Sequence, residues 1–405
     1  LHVIFKDHTP FPAPRATSPF LCRTNMGGHA FPDLNVPRME PQIYEKVKHA
    51  ALEVLSRRYP NVVPMSEAPE KADHGDVDLL IELPSSTPFP AQQVAIDLGA
   101  ERCKENNPTY CFAIPLNDAT TKSKVFAQVD VQRCLPGDLQ WTLFLLGHGD
   151  LSSILGTFNY GYGFTMKNDG FFVRIKEQEA RNWSASQVFL SKDLALVMRF
   201  MELDKHKFDQ GFDSVQGLFE WATKSRLFNR KLVEKRKDSS EMRGRMEKRP
   251  MFRRFVLEYL PSLPDVDDDK IKTRDSLTRA ALAFFGKEDE FNTRRAKVLL
   301  DNADDHAWDI IRTTVLMPLA QLEAKRLNEV VRALKRFVAF KDGRPYMCDE
   351  PEMNDENQAR FAQAINEADE VKPSVREWIL SNWEEVKARE RQRAKASRRA
   401  AGQAG

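Results

Sequence analysis

The sequence has no long apolar run and few cysteines, and both shortages narrow the class of protein. No stretch approaches the ~18 consecutive apolar residues that a membrane-spanning helix needs, so we expect no membrane span. The five cysteines, at positions 22, 103, 111, 134 and 348, form neither Cys-x-x-Cys pairs nor a regular framework. This pattern predicts neither a zinc site nor a disulfide scaffold, and it favours a reducing compartment such as the cytoplasm or the nucleus.

A large excess of charge is also missing. The chain has 61 lysines and arginines against 59 aspartates and glutamates, which gives a net charge of +2. Any attraction to nucleic acid must therefore come from local patches. At 405 residues the chain is longer than the ~250–300 residues at which single cores stop growing, so we expect more than one domain. The proline-rich beginning, with its early charges, does not resemble a signal peptide.

What the sequence does contain is a set of aspartates inside strand-like stretches. Asp76 and Asp78 stand at i and i+2 at the start of an apolar run, so on a β-strand both point to one face while the residues between and after them point to a core. Asp130 lies alone within the second strand-like run, residues 125–131. By itself, Asp76 is also explained as a turn residue after Gly75.

If the second strand pairs beside the first, three carboxylates meet at one edge of a sheet. Such a cluster is costly unless a cation lies in it, and a hard divalent cation held by oxygen ligands is the usual solution. The chemistry that suits this arrangement best is in-line phosphoryl or nucleotidyl transfer by two metal ions roughly 4 Å apart.

Three sequence blocks resemble a known family. The segment from Ser66 to Ile81, SEAPEKADHGDVDLLI, resembles the palm of the nucleotidyltransferase superfamily, in particular DNA polymerase beta (family X) and related minimal nucleotidyltransferases. In that family a Gly-Ser pair on a short helix is followed, at this spacing, by Gly-Asp-x-Asp and apolar residues. The stretch FAQVDVQ is similar to the strand that carries the third catalytic aspartate, and residues 145–175 are similar to the unit that follows it.

The resemblance implies an α+β fold, with a polymerase beta-like palm that is a mixed sheet with helices, followed by an all-α domain. From it we expect an irregular amino-terminal segment over residues 1–39 and the palm over 40–185. A helical domain is expected over 186–345, and a carboxy-terminal helical extension with a basic tail over 346–405.

The resemblance also implies an activity. It implies a nucleotidyltransferase that moves a nucleoside monophosphate from a nucleoside triphosphate such as ATP to an acceptor hydroxyl and releases pyrophosphate. Asp76, Asp78 and Asp130 are the implied catalytic residues and ligands of two Mg²⁺ ions, with Mn²⁺ as an alternative. The nucleotide-binding residues expected beside them are Ser66, Lys71, Gly147, Gly149, Asp150 and Ser153.

Two departures from the family pattern keep other functions open. Met65 stands where the pattern has a glycine, and residues 68–70 replace an arginine and a glycine that follow the serine. Lys71, or a lysine outside the segment such as Lys122 or Lys124, is expected to supply the missing positive charge. The alternatives are a catalytically inactive nucleotidyltransferase-fold protein that binds nucleotide or nucleic acid, and a scaffold whose helical half binds a partner.

A basic stretch over residues 224–254 contains thirteen cationic and four anionic side chains, a local excess of nine. Aromatic and apolar residues are interleaved with these charges, which indicates a segment anchored on the fold. We expect it to bind the phosphates of an RNA or DNA acceptor, and the expected nucleic-acid-binding residues are Arg243, Arg245, Lys248 and Arg249. Protein and small-molecule acceptors are equally compatible with the metal site, and the basic tail from residue 387 is expected to be a solvated face.

Local signals predict several helix ends. An amphipathic helix is expected from Glu40 to about residue 58, with Pro41 at its start. Asp193 and Ser214 are typical N-cap residues, and Gly286 is typical of a helix end. Further helices are expected at about 240–258, 269–286, 290–300 and 303–340. The Gly27-Gly28 pair predicts a tight turn, or backbone amides that approach a phosphate.

Overall fold

The computed structural model describes residues 28–116, 124–264, 272–320, 324–351 and 360–403. The fold is α+β, with a mixed sheet and many helices. The chain divides into two compact units, with the boundary between Glu288 and Asp289. This division does not test the finer boundaries expected from the sequence, which stay predictions.

Five strands in the described part of the first unit form the mixed sheet. They lie in the order β1-β2-β5-β4-β3, and β2 and β5 run parallel while the other pairs are antiparallel. Their bounds are β1 (Val62–Pro64), β2 (Val77–Glu82), β3 (Arg102–Asn106), β4 (Thr109–Leu116) and β5 (Val125–Cys134). Both aspartate-bearing stretches thus contain strands, as the sequence predicts, and the two strands are neighbours in the sheet.

Two helices cover one face of this sheet. α1 (Pro41–Ser56) begins at the expected proline, whose missing N–H would have had no partner in the first helical turn, and α2 (Ala91–Asp97) follows β2. Alternate residues of the central strands point to these helices because side chains on a strand change face at every residue. The core formed there includes Val77, Leu79, Ile81, Val129 and Val131 from the strands, and Tyr44, Ala51, Leu55 and Val94 from the helices.

A second, three-stranded sheet follows in the chain. α3 (Leu139–Leu146) and α4 (Leu151–Gly161) lead to β6 (Phe164–Lys167), β7 (Gly170–Arg174) and β8 (Gln187–Ser191), which pair antiparallel in that order. Arg174 on β7 is only 2% exposed. Its guanidinium donates to the carbonyls of Tyr160 and Phe164 and pairs with Glu179, so the buried charge is fully bonded and holds this sheet against α4.

Short helices complete the first unit. Asp193 and Ser214 accept from Leu196 N and Gly217 N, each at 3.1 Å, and Gly286 ends the last helix at φ +65°, so these three predicted ends are confirmed. The bounds are α5 (Leu194–Met201), α6 (Lys205–Gln210), α7 (Val215–Thr223), α8 (Arg230–Arg236), α9 (Ser240–Lys248), α10 (Pro250–Arg254), a π-helical turn (Phe255–Tyr259), α11 (Leu260–Ser262) and α12 (Arg274–Phe285).

The second unit is helical with one hairpin. Its elements are α13 (Glu288–Ile310), a π-helical turn (Ile311–Leu316), α14 (Met317–Ala320), α15 (Ala324–Phe337), β9 (Val338–Lys341), β10 (Arg344–Met347) and α16 (Pro373–Gln403). The continuous helix α13 thus crosses the break that was expected between the helices at 290–300 and 303–340. The expected helix to residue 340 ends at Phe337 instead, because Asp342-Gly343, both at positive φ, turn the chain into the hairpin.

Cysteines and long helices can also be compared with the expectations. Cys103, Cys111, Cys134 and Cys348 are free thiols, and Cys22 lies outside the described residues. Among the helices in the described ranges, none is long and apolar enough to cross a membrane.

Candidate metal centre

The register of the parallel pair brings the three aspartates together. Asp78 on β2 lies directly beside Asp130 on β5, and Asp76 stands two residues before Asp78, just ahead of the strand. Partners in register share a face of the sheet, and so do residues at i and i+2. One oxygen from each carboxylate therefore lies within 4.8 Å of the others, and all three side chains are half-buried.

The pKa of each of the three carboxyl groups is raised, mainly by burial, and for Asp78 and Asp130 also by the charge of a neighbouring aspartate. Burial and the charges of Asp76 and Asp130 hold the pKa of Asp78 well above its usual range. Burial and the charge of Asp76 raise the pKa of Asp130 to about 7. Burial also raises the pKa of Asp76, although Lys71 opposes this shift. An all-oxygen cluster of this charge fits a hard divalent cation such as Mg²⁺ or Mn²⁺.

Two side chains that the sequence analysis did not identify hold Asp130. The Cys111 thiol on β4, its register partner, donates a hydrogen bond to the Asp130 carboxylate. Gln128 Nε2 donates to Asp130 Oδ1 at 2.9 Å. The signal for Gln128 was available, since it lies at i−2 on the same strand face as Asp130. The signal for Cys111 was not, because it depends on the β4–β5 register.

Ser66 lies against the turn that follows α3. His148 N donates to the Ser66 carbonyl at 2.6 Å, and a side chain at Gly147 would lie 3.5 Å from Ser66 Cβ. Gly149, at φ +63°, leaves room for Ala68, because an added Cβ would come within 2.8 Å of that residue's own Cβ. Three predicted nucleotide-binding residues, Ser66, Gly147 and Gly149, are thus brought together, and the Ser66 side chain is exposed.

Lys71 and Asp150, which were also predicted to bind nucleotide, already have protein partners. The Lys71 ammonium pairs with Glu67, whose other oxygen accepts from Tyr44 Oη at 3.1 Å. Asp150 accepts from Arg249 Nη1 at 3.1 Å and from the Phe252 backbone N–H at 3.0 Å. Ser153 lies half-buried in the first turn of α4. Asp150 therefore fastens the start of α10 to the start of α4.

Glu70 makes a second connection of this kind. This residue has a left-handed backbone, φ +62°. Its Oε1 accepts from Val215 N at the start of α7, and its Oε2 accepts from Arg254 Nη1, each at 3.2 Å. The loop that carries Ser66 is thus bonded to two helices that lie more than a hundred residues further along the chain.

The four predicted nucleic-acid-binding residues differ in solvent exposure and in whether a carboxylate of the protein already pairs with them. Arg243 and Lys248 are exposed on and at the end of α9, and Arg243 donates to the Asp238 carbonyl. Arg245 pairs with Glu241 at 2.6 Å, and Arg249 pairs with Asp150. Burial lowers the pKa of Arg245 against the opposing effect of Glu241, and the nearby Arg236 and Arg249 lower it further. Arg245 and Arg249 are therefore held by carboxylates of the fold, whereas Arg243 and Lys248 lie at the surface.

Comparison with known proteins adds little to this geometry. The sequence matches no protein-family model, and no curated protein matches it. Among solved structures, the chain is similar to the Leishmania infantum polymerase beta in a ternary P/T complex. The two share 16% sequence identity with a TM-score of 0.28, over 38% of this chain and 63% of that chain, less than two thirds of its length. This similarity is too low to carry an argument, so the case for the site rests on its residues.

Proposed function

We propose that this protein is a metal-dependent nucleotidyltransferase that moves a nucleoside monophosphate from a nucleoside triphosphate to an acceptor hydroxyl. The observation that carries the proposal is the cluster of Asp76, Asp78 and Asp130, whose ligand oxygens lie within 4.8 Å of one another. The proposal includes the finer fold class: the five-stranded sheet acts as a polymerase beta-like palm, and the helices after β8 act as the helical domain that follows it.

In the proposed reaction the acceptor oxygen attacks the α-phosphorus, the bond from that phosphorus to the β-phosphate oxygen breaks, and pyrophosphate leaves. Divalent cations, when bound, stabilise the charge on the attacked phosphate and on the leaving pyrophosphate. Asp76 and Asp78 would hold both cations, and Asp130 would complete the set of ligands on the acceptor side. Asp130 would also accept the proton of the acceptor hydroxyl.

The nucleotide would lie beside the turn at residues 147–149. The exposed Ser66 hydroxyl would donate to the terminal phosphates, and Gly147 and Gly149 would let the backbone approach them. Lys71 would exchange its partner Glu67 for a phosphate, and Ser153 would line the sugar side. Asp150 would contribute through the position of α4 and α10, because both of its oxygens are already bonded.

A second candidate is a catalytically inactive protein that binds nucleotide or nucleic acid. Lys71 and Asp150, two side chains expected to contact a nucleotide, already pair with Glu67 and Arg249. These pairings favour the second candidate. Turnover separates the two candidates, whereas nucleotide binding does not.

The test is incubation with α-labelled nucleoside triphosphates, Mg²⁺ or Mn²⁺, and a panel of RNA, DNA, protein and small-molecule acceptors, with products resolved by mass. We expect labelled acceptor and pyrophosphate from the wild type, and a loss of orders of magnitude in Asp78→Asn, since a neutral amide cannot replace a carboxylate ligand. Asp97→Asn, an exposed aspartate on α2, is the matched control. Undiminished turnover in Asp78→Asn would exclude the proposed site.

A thermal-shift measurement covers the inactive alternative. If the wild type shows metal-dependent stabilisation by a nucleoside triphosphate but transfers no label to any acceptor, the second candidate replaces the first. If neither binding nor turnover is seen, the protein has neither function, and the scaffold expectation is the one left.

A further inference from the structure

A short segment ahead of α1 runs along the carboxylate cluster. We call residues 28–36 the N-terminal strap. Its far end is fixed on the sheet, because Phe31 packs with Cys111 and Phe126 in a small buried cluster. The Asn35 carbonyl also accepts from Phe126 N at 2.9 Å. The strap is thus anchored on β5, the strand that carries Asp130, and on the neighbouring strand β4.

The near end of the strap presents two backbone N–H groups to the site. The Gly28 backbone N–H opposes the rise in the pKa of Asp76 that burial causes, so it faces that carboxylate. The Ala30 N–H donates to Gln128 Oε1 at 3.0 Å, and Gln128 Nε2 donates in turn to Asp130 Oδ1 at 2.9 Å. Gln128 is only 3% exposed, so its amide is shielded from water. Its two hydrogen bonds hold the amide in one orientation.

The close approach of the strap requires glycine at one position. Gly28 has φ +95°, and an added Cβ would lie 2.8 Å from the Gly75 carbonyl oxygen. That carbonyl precedes Asp76 directly. A larger residue at position 28 would therefore be strained and would push the strap away from Asp76.

Groups that hydrogen-bond metal ligands fix the direction of those ligands, and their removal weakens metal binding. We propose that the N-terminal strap and Gln128 are positioning elements of the carboxylate centre, holding Asp76 and Asp130 in the geometry that binds a divalent cation. The orientation of Asp130 then depends on a residue that lies far away in sequence, since Ala30, which holds Gln128, is 98 positions from it. The inference rests on the proposed metal centre and adds the residues that support it.

The test measures metal binding by the full chain without substrate, using Tb³⁺ luminescence and competition by Mn²⁺. Gln128→Met keeps the length of the side chain and removes both of its hydrogen bonds. We expect about tenfold weaker binding, at the lower end of the roughly 10–100-fold found for outer-shell partners. Gln93→Met is the matched control, because Gln93 also donates to an aspartate, Asp97, at 2.9 Å, but on the surface of α2. We expect no change in that variant.

Gly28→Ala is the second variant, and it leaves the buried amide in place. It should weaken metal binding in the same direction by displacing the strap, so the inference stays testable if Gln128→Met fails to fold. Thermal unfolding in EDTA shows whether either variant is folded. In a turnover assay, saturating Mn²⁺ should restore the rate of Gln128→Met and should not restore that of Asp78→Asn, a distinction that a general loss of stability would not produce.

The outcomes separate the inference from the function on which it rests. If the wild type binds neither Tb³⁺ nor Mn²⁺, the proposed metal centre fails. If the wild type binds and Asp78→Asn does not, while folded Gln128→Met and Gly28→Ala bind as tightly as the wild type, the centre stands and the positioning role is wrong. Weaker metal binding in Gln128→Met and Gly28→Ala, with Gln93→Met unchanged, supports the positioning role.

Discussion

Replacing Asp130 with asparagine should stabilise the metal-free protein, and the gain should depend on pH. Burial and Asp76 raise the pKa of Asp130 from 3.8 to about 7. A carboxyl group whose pKa is raised on folding binds its proton more tightly in the folded state. The contribution of this group to the free energy of unfolding is therefore largest below about pH 4 and falls as the pH rises toward 7. Asparagine has no such proton and loses nothing over this range.

The size of the effect follows from the shift. Each pKa unit corresponds to about 1.4 kcal/mol, so the charge of Asp130 costs about 4 kcal/mol at most above pH 7. Relaxation and solvent screening at this half-buried site reduce that figure, and we expect a net gain of about 1–3 kcal/mol for Asp130→Asn. The asparagine oxygen can still accept from Gln128, so the substitution can preserve that hydrogen bond.

Urea and thermal unfolding in EDTA at pH 5 and pH 8 measure the effect. The variant should unfold at a higher temperature than the wild type at pH 8, by about 2–4 °C for each kcal/mol, and the difference should be smaller at pH 5. Saturating Mg²⁺ should reverse the order, because only the wild type keeps all three ligands. Asp97→Asn is the control of opposite sign, since Gln93 and Arg58 lower the pKa of Asp97. A gain that is absent, or equal at both pH values, would refute the raised pKa of Asp130.

Three further predictions concern other parts of the first unit. Neutral substitutions at Arg243, Arg245, Lys248 and Arg249 should flatten the salt dependence of polynucleotide binding, measured by anisotropy, by roughly 0.7–0.9 in log–log slope per lost phosphate contact; an unchanged slope would mean that the cluster is only a solvated surface. Arg174→Met should lower the free energy of unfolding by about 3–5 kcal/mol, because it leaves the bonded partners of a buried charge unpaired, whereas the exposed Arg57→Met should change it little. Burial lowers the pKa of His148 to about 4, so the stability that neutral His148 contributes above about pH 6.5 should be lost as the pH falls toward 4. Asparagine tolerates the φ of +56° at this position, so His148→Asn should remove this acid-induced loss, measured as the urea midpoint against pH. An unchanged acid dependence would contradict the assignment.

The part of the site that the sequence predicts is the part encoded within single strands. Alternation along residues 76–81 separates the carboxylates from the core, and an acidic residue inside an apolar strand marks Asp130 as exceptional. The relative position of the two strands is not encoded in either strand alone. Only the structure shows the parallel register that places Asp78 beside Asp130.

The partners of the site residues were less accessible to sequence reasoning. Asp150 bonds to Arg249, 99 positions away, and nothing near either residue indicates the pairing. The strap acts through backbone N–H groups, which every residue except proline carries, so no side-chain pattern marks Ala30. The Gly27-Gly28 pair predicted a tight turn or a phosphate contact, and not an approach to Asp76. The hairpin at Asp342-Gly343 is different, since that dipeptide is a strong turn signal that the apolar periodicity around it obscured.

The bonds of Glu70 and Asp150 limit how the chain can be divided experimentally. Excision of the sheet by truncation after residue 185 would remove Val215, Arg249, Phe252 and Arg254, the partners of both carboxylates. In the isolated fragment, Glu70 on the loop beside Ser66 and Asp150 at the start of α4 would lack these hydrogen-bond partners. A fragment that keeps these four bonds should therefore extend at least to Arg254, the end of α10.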